Sequence, residues 1–212
     1  MNGPRFDDAF RAQLHDLLRW RRDVRHFRPD AIDRAALERL VQSACLSPSV
    51  GYSQPWRFVR IENPQRRNAV IESFERANAQ ALAGYDGEDA ELYAQLKLSG
   101  LRDAPAHVAV FCDNATTTGR GLGRATMPQT LAYSAAMAIY TFWLAARAEG
   151  IGVGWVSILE PEVVTRALDV PAQWELIAYL CVGYPASDSD TPELDRAGWE
   201  RQDERAITLH ER

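Results

Sequence analysis

The sequence predicts an α+β fold in which a central mixed sheet is surrounded by helices, with one long helix buried in the core. Segments with the spacing of amphipathic helices alternate along the chain with short apolar runs typical of buried strands. The connections between them vary too much in length for a regular doubly wound sheet. With 212 residues the chain can bury a sizeable core, and we expect a single domain over residues 1–212.

The helices are predicted from the spacing of apolar side chains. In the first of them Phe10, Leu14, Leu17 and Leu18 share one face. The second has to end before Pro48, since a proline disfavours the helical conformation of the residue that precedes it. The predicted helices cover residues 6–20, 32–44, 65–83, 90–102 and 131–148, with a short helix after Pro161.

The strands and loops lie between these helices. Strands are predicted over residues 56–61, 107–112, 153–159 and 176–182. Residues 84–89 are polar and contain glycine, which predicts a mobile loop within a longer polar stretch, residues 80–102. A long loop is expected at 114–128 and an extended polar tail at 185–212.

The helix over residues 131–148 is apolar almost all round. Tyr133, Ser134, Tyr140, Thr141 and Arg147 make it a poor membrane span. A helix of this kind belongs in a protein core or in a subunit interface.

Composition and charge narrow the class of protein. The net charge of −5 argues against a nucleic-acid or membrane-surface binder, which needs a broad basic face. Cys45, Cys112 and Cys181 are far apart and odd in number, which is typical of buried thiols in a reducing compartment. The N-terminus lacks the pattern of a secretory signal. We therefore expect a cytoplasmic protein.

An acidic residue inside a basic cluster is the most informative feature. In Arg21-Arg22-Asp23-Val24-Arg25, three guanidinium groups surround one carboxylate. Clustered arginines suit bidentate recognition of a phosphate, whereas a carboxylate among them weakens such a site by like-charge repulsion. Asp23 therefore either neutralises its neighbours or performs chemistry beside a bound ligand. Incidental ion pairs on a solvated surface are the simpler alternative.

Three other motifs fail on their spacing. The glycine-rich Gly119–Arg124 stretch lacks the strand-to-helix context of a dinucleotide fingerprint, although a functional loop near a pocket stays open. Ser157 lacks the nucleophile elbow of serine hydrolases. No metal site is predicted, because metal-ligand spacing is missing among the histidines and cysteines. The histidines are His15, His26, His107 and His210.

The loop over residues 47–56 completes a pattern. Its sequence is Ser-Pro-Ser-Val-Gly-Tyr-Ser-Gln-Pro-Trp, and by itself it reads as an ordinary connection. With the arginine cluster before it and Gly152-Val153-Gly154 after it, the chain resembles the nitroreductase-like FMN-binding fold. In that fold these elements bind the flavin phosphate, line the flavin and pass along its ring.

The resemblance narrows within that fold. Asp23 stands where ordinary nitroreductases carry serine, and it resembles the aspartate of the 5,6-dimethylbenzimidazole synthases. Residues 97–105, 121–128, 143–147 and 152–159 are also similar to those enzymes, and the resemblance extends from about Arg19 to Trp199. It implies a homodimer that fragments reduced FMN with dioxygen into 5,6-dimethylbenzimidazole, the lower axial ligand of vitamin B12, and erythrose 4-phosphate. FMN is then a substrate, and NAD(P)H acts only through a separate flavin reductase.

The resemblance also implies roles for individual residues. Asp23 would be the acid/base, and Ser157 would hydrogen-bond the flavin from its strand. Arg21 and Arg25 would hold the phosphate, with Arg201 or Arg205 as a third cation from the tail. Residues 80–102 would form a lid that excludes water. The remaining flavin contacts implied are Arg22, Val24, Ser49, Ser53, Gln54, Leu98 and Ile158.

Two alternatives remain open. A conventional NAD(P)H-dependent nitroreductase or flavin reductase shares the fold but recycles FMN and needs a pocket open to nicotinamide. A non-catalytic flavin carrier needs the arginines but gives no reason for Asp23 among them.

Overall fold

A computed structural model describes residues 3–203, 206 and 208–211. Four strands and seven α-helices make up this part of the chain. The elements are α1 Asp8–Trp20, α2 Arg34–Ala44, β1 Trp56–Arg60, α3 Pro64–Leu82, α4 Gly87–Gln95, β2 Ala106–Asp113, α5 Thr130–Ala148, β3 Gly152–Val156, α6 Pro161–Leu168, β4 Trp174–Gly183 and α7 Glu193–Arg196.

The four strands form one sheet in the order β1-β2-β4-β3. All three neighbouring pairs are antiparallel. The prediction of a mixed sheet is therefore wrong in detail, because the sheet itself is antiparallel. Among the described residues, the one parallel pairing is an isolated bridge between Asp23 and Val153. The α+β fold itself is confirmed.

The sheet carries a core on each face. Alternate residues of β2 and β4 point to opposite faces, as the pleat of a strand requires. Val108 and Leu180 pack with α2 and α5 on one face. Ala109 and Tyr179 pack with apolar residues of α3 and α6 on the other. The long helix α5 thus covers the sheet, as predicted for residues 131–148.

Three elements differ from the prediction. The tail predicted as extended over residues 185–212 contains the short helix α7. Helix α4 spans Gly87–Gln95, so residues 87–89 are helical and residues 96–102 are not. The chain becomes extended at Leu96, and the Lys97 carbonyl is then held by Arg25. Strand β3 ends at Val156, so Ser157 and Ile158 follow the strand and do not lie in it.

Two helices expose apolar side chains in the single chain. Helix α1 has no buried residue. Helix α5 exposes Tyr133, Met137 and Tyr140 on the side away from the sheet. In the described part of the chain, no helix is both long and apolar enough to cross a membrane.

Candidate active site

Residues 21–25 lie along β3 because two glycines make room for them. The Val24 backbone N–H donates to the Val153 carbonyl at 3.0 Å. A Cβ on Gly154 would lie 2.1 Å from the Val24 carbonyl oxygen, and one on Gly152 would lie 2.9 Å from a Val24 methyl. The Gly-x-Gly pattern therefore serves the close approach of the Asp23–Val24 backbone.

The Asp23 carboxylate has a partner on each oxygen. Oδ1 accepts a hydrogen bond from the Trp155 backbone N–H at 2.8 Å, and Oδ2 accepts one from Arg25 Nε at 2.9 Å. Burial raises the pKa of Asp23 above its ordinary value, although the Trp155 N–H and Arg25 oppose that shift. About a third of the side chain, 32%, stays exposed. Asp23 is therefore fixed in position and holds a proton more readily than an ordinary aspartate.

Arg25 joins Asp23 to the predicted lid. Its Nη1 donates to the Lys97 carbonyl at 3.0 Å, and its side chain is 12% exposed. Leu98, the next residue, is half-buried. Arg25 therefore connects Asp23 with the segment that carries Leu98.

Arg21 and Arg22 point to different surroundings. The Arg21 guanidinium lies over the Trp143 ring of α5, 4.9 Å from its centroid, and makes no ion pair or hydrogen bond with any residue that the structure describes. The Arg22 guanidinium donates to backbone carbonyls, including that of Asp190 in the tail at 2.6 Å. Arg21 therefore forms no ion pair within the described part of the chain, whereas Arg22 holds the tail.

The loop over residues 49–54 has an unusual backbone. Gly51, Tyr52 and Gln54 all have positive φ, which side chains other than glycine rarely adopt. The Ser49 hydroxyl accepts from the Gln54 N–H at 3.1 Å and so stabilises this turn. Strain of this kind is often concentrated at functional sites.

One hydroxyl in this loop is buried and lacks a hydrogen-bond partner in the part of the chain that the structure describes. Ser53 is 2% exposed, and its Oγ makes no hydrogen bond within the described residues. The glycine-rich stretch covers it: a Cβ on Gly119 would lie 2.4 Å from the Gly51 carbonyl oxygen and 3.3 Å from the Ser53 Cβ. The stretch rejected as a dinucleotide motif thus forms the outer wall of the Ser49–Gln54 loop, which its spacing alone did not indicate.

The remaining predicted residues lie at the edges of these two groups. Ser157 is exposed and Ile158 half-exposed, just past β3 and two or three residues beyond Trp155. Arg201 is exposed in the tail, where its backbone N–H donates to the Glu200 carboxylate at 2.9 Å. Arg205 lies outside the described residues.

Helix α5 contacts the Ser49–Gln54 loop on one side and the Arg21–Arg25 segment on another. Ser134 of α5 accepts from the Val50 N–H at 3.0 Å, which anchors the loop, whereas Trp143 and Tyr140 contact Arg21. Among the described residues no hydrogen bond or ion pair joins the loop directly to the Arg21–Arg25 segment.

This arrangement agrees with a known family. Residues 18–184 match the nitroreductase family, and the chain belongs to it. An iodotyrosine deiodinase crystal structure, bound to FMN and 3-iodo-L-tyrosine, superimposes with a TM-score of 0.70 over 83% of this chain and 91% of that one. At 23% identity this likeness concerns the fold alone.

Two relatives define the branch of the family. A 5,6-dimethylbenzimidazole synthase from Rhodospirillum rubrum is 58% identical over 93% of this chain and 94% of its own length. One from Rhodobacter capsulatus is 51% identical over 92% of this chain and 94% of its own length. This places the chain with the 5,6-dimethylbenzimidazole synthases of the nitroreductase family, as the motifs around Asp23 predicted.

The described residues fit an FMN molecule. A phosphorylated flavin needs a cation for its phosphate and hydrogen-bonding groups for its ribityl chain and ring. Among the residues that the structure describes, Arg21 Nε and the Ser53 hydroxyl are buried polar atoms without a hydrogen-bond partner. A buried unsatisfied hydroxyl is costly, and a ligand that hydrogen-bonds it relieves that cost.

Proposed function

We propose that the protein breaks reduced FMN down with dioxygen, releasing 5,6-dimethylbenzimidazole for cobalamin biosynthesis and erythrose 4-phosphate. The observation that carries this proposal is Asp23. A carboxylate held by Trp155 and Arg25 within an arginine cluster weakens phosphate binding and needs a chemical reason. Reduced FMN supplies the electrons for the reaction with dioxygen and the atoms of the benzimidazole.

The phosphate of FMN would bind to arginine side chains. Arg21 supports this role because its guanidinium lies against Trp143 without a counter-ion among the described residues. Arg25 would contribute its charge and its Nη2 group, since its bonds to Asp23 and Lys97 use Nε and Nη1. Arg201 is exposed and would be the third cation. Arg22 and Val24 would contribute through their backbone, since the Arg22 guanidinium is bonded to carbonyls.

The ribityl chain and the ring would bind to the loop and to the end of β3. Ser53 would donate from its unpartnered hydroxyl, and Gln54 would offer its amide from a left-handed backbone position. Ser49 holds the turn. Leu98 would cover the ring from the lid, and Ser157 and Ile158 would contact it from the segment that follows β3.

Asp23 would move protons while the ring is broken down. Burial raises the pKa of Asp23, so its carboxyl holds a proton more readily than an ordinary aspartate, and a general acid/base has to give and accept a proton. The bonds to the Trp155 N–H and to Arg25 Nε fix both oxygens, so the proton would pass at the exposed lone pairs. A raised pKa in a ligand cleft is typical of such groups.

The active form would be a homodimer with two-fold symmetry. The exposed side chains of α5, Tyr133, Met137 and Tyr140, and the apolar face of α1 offer the surface. The loop and the arginine segment lie on different sides of α5, so a flavin site at this interface would draw on both subunits.

The reductant would come from another protein. In this proposal FMN is consumed as a substrate, so NAD(P)H would act only through a separate flavin reductase that supplies reduced FMN. Cys112 and Cys181 are buried free thiols, whereas Cys45 is exposed and not buried as predicted; three free thiols would agree with a cytoplasmic location.

The test is an aerobic incubation of the pure protein with FMN kept reduced by NADPH and a separate flavin reductase. Chromatography would follow FMN and the benzimidazole, with a reaction lacking the protein as control. We expect FMN to be lost in step with the appearance of 5,6-dimethylbenzimidazole. Intact FMN, with NADPH oxidised even when the helper reductase is omitted, would instead indicate a conventional nitroreductase.

A further inference from the structure

The tail after β4 runs along the arginine segment. The Ala186 N–H donates to the His26 carbonyl at 3.0 Å, and the Asp190 carbonyl accepts from Arg22 at 2.6 Å. Glu193 lies 3.4 Å from His26 Nε2. Residues 186–193 therefore form a strap across residues 22–26.

The strap leads to Trp199, which contacts the predicted lid. The Trp199 N–H donates to the Leu194 carbonyl at 2.9 Å, which turns the chain back after Gly198, where φ is +77°. The indole meets the rings of Tyr85 and Tyr93 edge-on, at centroid distances of 5.5 Å and 6.0 Å. The two tyrosines stack on each other at 4.9 Å.

The tyrosine that receives Trp199 is itself fixed. Tyr93 of α4 is 6% exposed, and its hydroxyl donates to Asn78 of α3 at 2.8 Å. Tyr85 is 37% exposed, and Trp199 is half-buried. Tyr93 is therefore fixed on α4, whereas Trp199 on the tail is partly exposed to solvent. Such a contact can separate without unfolding α4.

The other end of the lid is tied to the same arginine segment. Arg25 Nη1 bonds the Lys97 carbonyl, and Gly100 packs so closely on Phe27 that an added Cβ would lie 2.3 Å from the ring. The predicted lid is thus linked to residues 22–27 at two places. The segment after α4 contacts Arg25 and Phe27 directly, and α4 itself is linked through Trp199 and the strap.

We propose that Trp199 is a positioning residue that docks the tail on α4 and so holds the lid closed while reduced flavin reacts. The proposal rests on the proposed function. A closed lid keeps water from the reacting flavin. When the lid opens, dioxygen takes two electrons and two protons from reduced FMN, and oxidised FMN and hydrogen peroxide are released. Trp199 then sets the share of reduced FMN that becomes 5,6-dimethylbenzimidazole.

The test compares Trp199→Ala and Trp199→Phe with Glu200→Gln, which changes the next, exposed residue. Each edge-on ring pair shifts an equilibrium by about two- to tenfold. In FMN-bound Trp199→Ala we expect amide hydrogen exchange over residues 87–95 to be about tenfold faster. The exchange of β2 and the affinity for FMN should stay within about twofold of wild type. Trp199→Phe should fall between, and Glu200→Gln should match wild type.

The product ratio tests the consequence of docking. In Trp199→Ala we expect the benzimidazole formed per reduced FMN to fall about five- to tenfold, with a matching rise in hydrogen peroxide. Unchanged exchange over residues 87–95 would overturn the docking role. Faster exchange with an unchanged product ratio would overturn the link to yield.

Two further outcomes are distinguishable. Faster exchange in β2 together with lost FMN binding would mean that Trp199 only stabilises the fold, which also overturns the proposal. If wild type forms no benzimidazole, the proposed function and the effect on yield both fail. The exchange rates of residues 87–95 would then decide the docking of Trp199 independently.

Discussion

The Arg21–Arg25 segment and the Ser49–Gln54 loop both supply predicted flavin contacts, but they are held in opposite ways. Asp23 has a partner on each carboxylate oxygen, from Trp155 and Arg25. Ser53 is almost fully buried, yet its hydroxyl has no partner among the described residues. The Asp23 carboxylate is therefore positioned without a ligand, whereas the Ser53 hydroxyl is buried with its hydrogen bond not formed in the described residues.

This difference separates chemistry from binding. A group that moves protons has to be fixed in position, because misplacement by about 1 Å can cost about a hundredfold in rate. A group that recognises a ligand gains most when its partner is the ligand itself, since burying it without that partner is costly. We therefore expect substitution of Asp23 to affect turnover, and substitution of Ser53 to affect affinity.

The largest expected effect is that of Asp23→Asn. The amide keeps the shape of the side chain but cannot act as a base, so benzimidazole formation should fall by about a hundredfold or more. The dissociation constant for FMN should change by less than about threefold. Chromatographic product assays and fluorescence titration of FMN measure the two quantities. A normal product yield from this variant would remove Asp23 from the mechanism.

Gly154→Ala should displace the Arg21–Arg25 segment from β3. Its Cβ would lie 2.1 Å from the Val24 carbonyl oxygen, so the Asp23 backbone has to move away from β3. We expect the free energy of unfolding to fall by about 2 kcal/mol. Urea denaturation measures this, and Gly3→Ala, where an added Cβ meets no atom within 4 Å, is the matched control. Equal stability of the two variants would contradict the close approach.

Ser53→Ala tests the opposite region. The hydroxyl makes no hydrogen bond in the described residues, so its removal should leave the ligand-free protein as stable as wild type or slightly more stable. The affinity for FMN should fall by about five- to tenfold, the value of one hydrogen bond. Ser43→Ala, which removes an exposed hydroxyl bonded within α2, is the control. Unchanged FMN affinity would mean that Ser53 does not contact the flavin.

The smallest effect concerns pH. The pKa of Asp23 is raised in the folded state above the unfolded value of 3.8. The protonated form therefore favours folding below pH 3.8, and this stabilisation is lost as the pH rises through the folded pKa. As the pH rises from below 3.8 through the folded pKa, wild type should lose stability relative to Asp23→Asn. The loss should be modest because the Asp23 side chain is partly exposed. Urea denaturation of both proteins at pH values on either side of the transition checks the sign.

Local sequence determined much of this protein. The pattern of apolar residues predicted α5 and the buried strands β2 and β4 to within two residues at every end. It could do so because a face that packs on a core repeats in the sequence. The cluster at Arg21–Arg25 and its resemblance to the 5,6-dimethylbenzimidazole synthases also indicated the family and the acidic residue, since those residues are adjacent in the chain.

Long-range contacts were decided only by the tertiary structure. Residues 96–102 continue a helical spacing, but the bond from Arg25 to Lys97 and the packing of Gly100 on Phe27 involve partners some seventy residues away. The same holds for the wall that Gly119 forms over Ser53 and for the ring contact between Trp199 and Tyr93 of α4. A sequence pattern records which face of a segment is apolar, whereas the partner of that face depends on how the chain folds back. The sequence by itself determined the chemical groups available here, and the tertiary structure decided which of them are held by partners, as Asp23 is, and which have none among the described residues, as the Ser53 hydroxyl does.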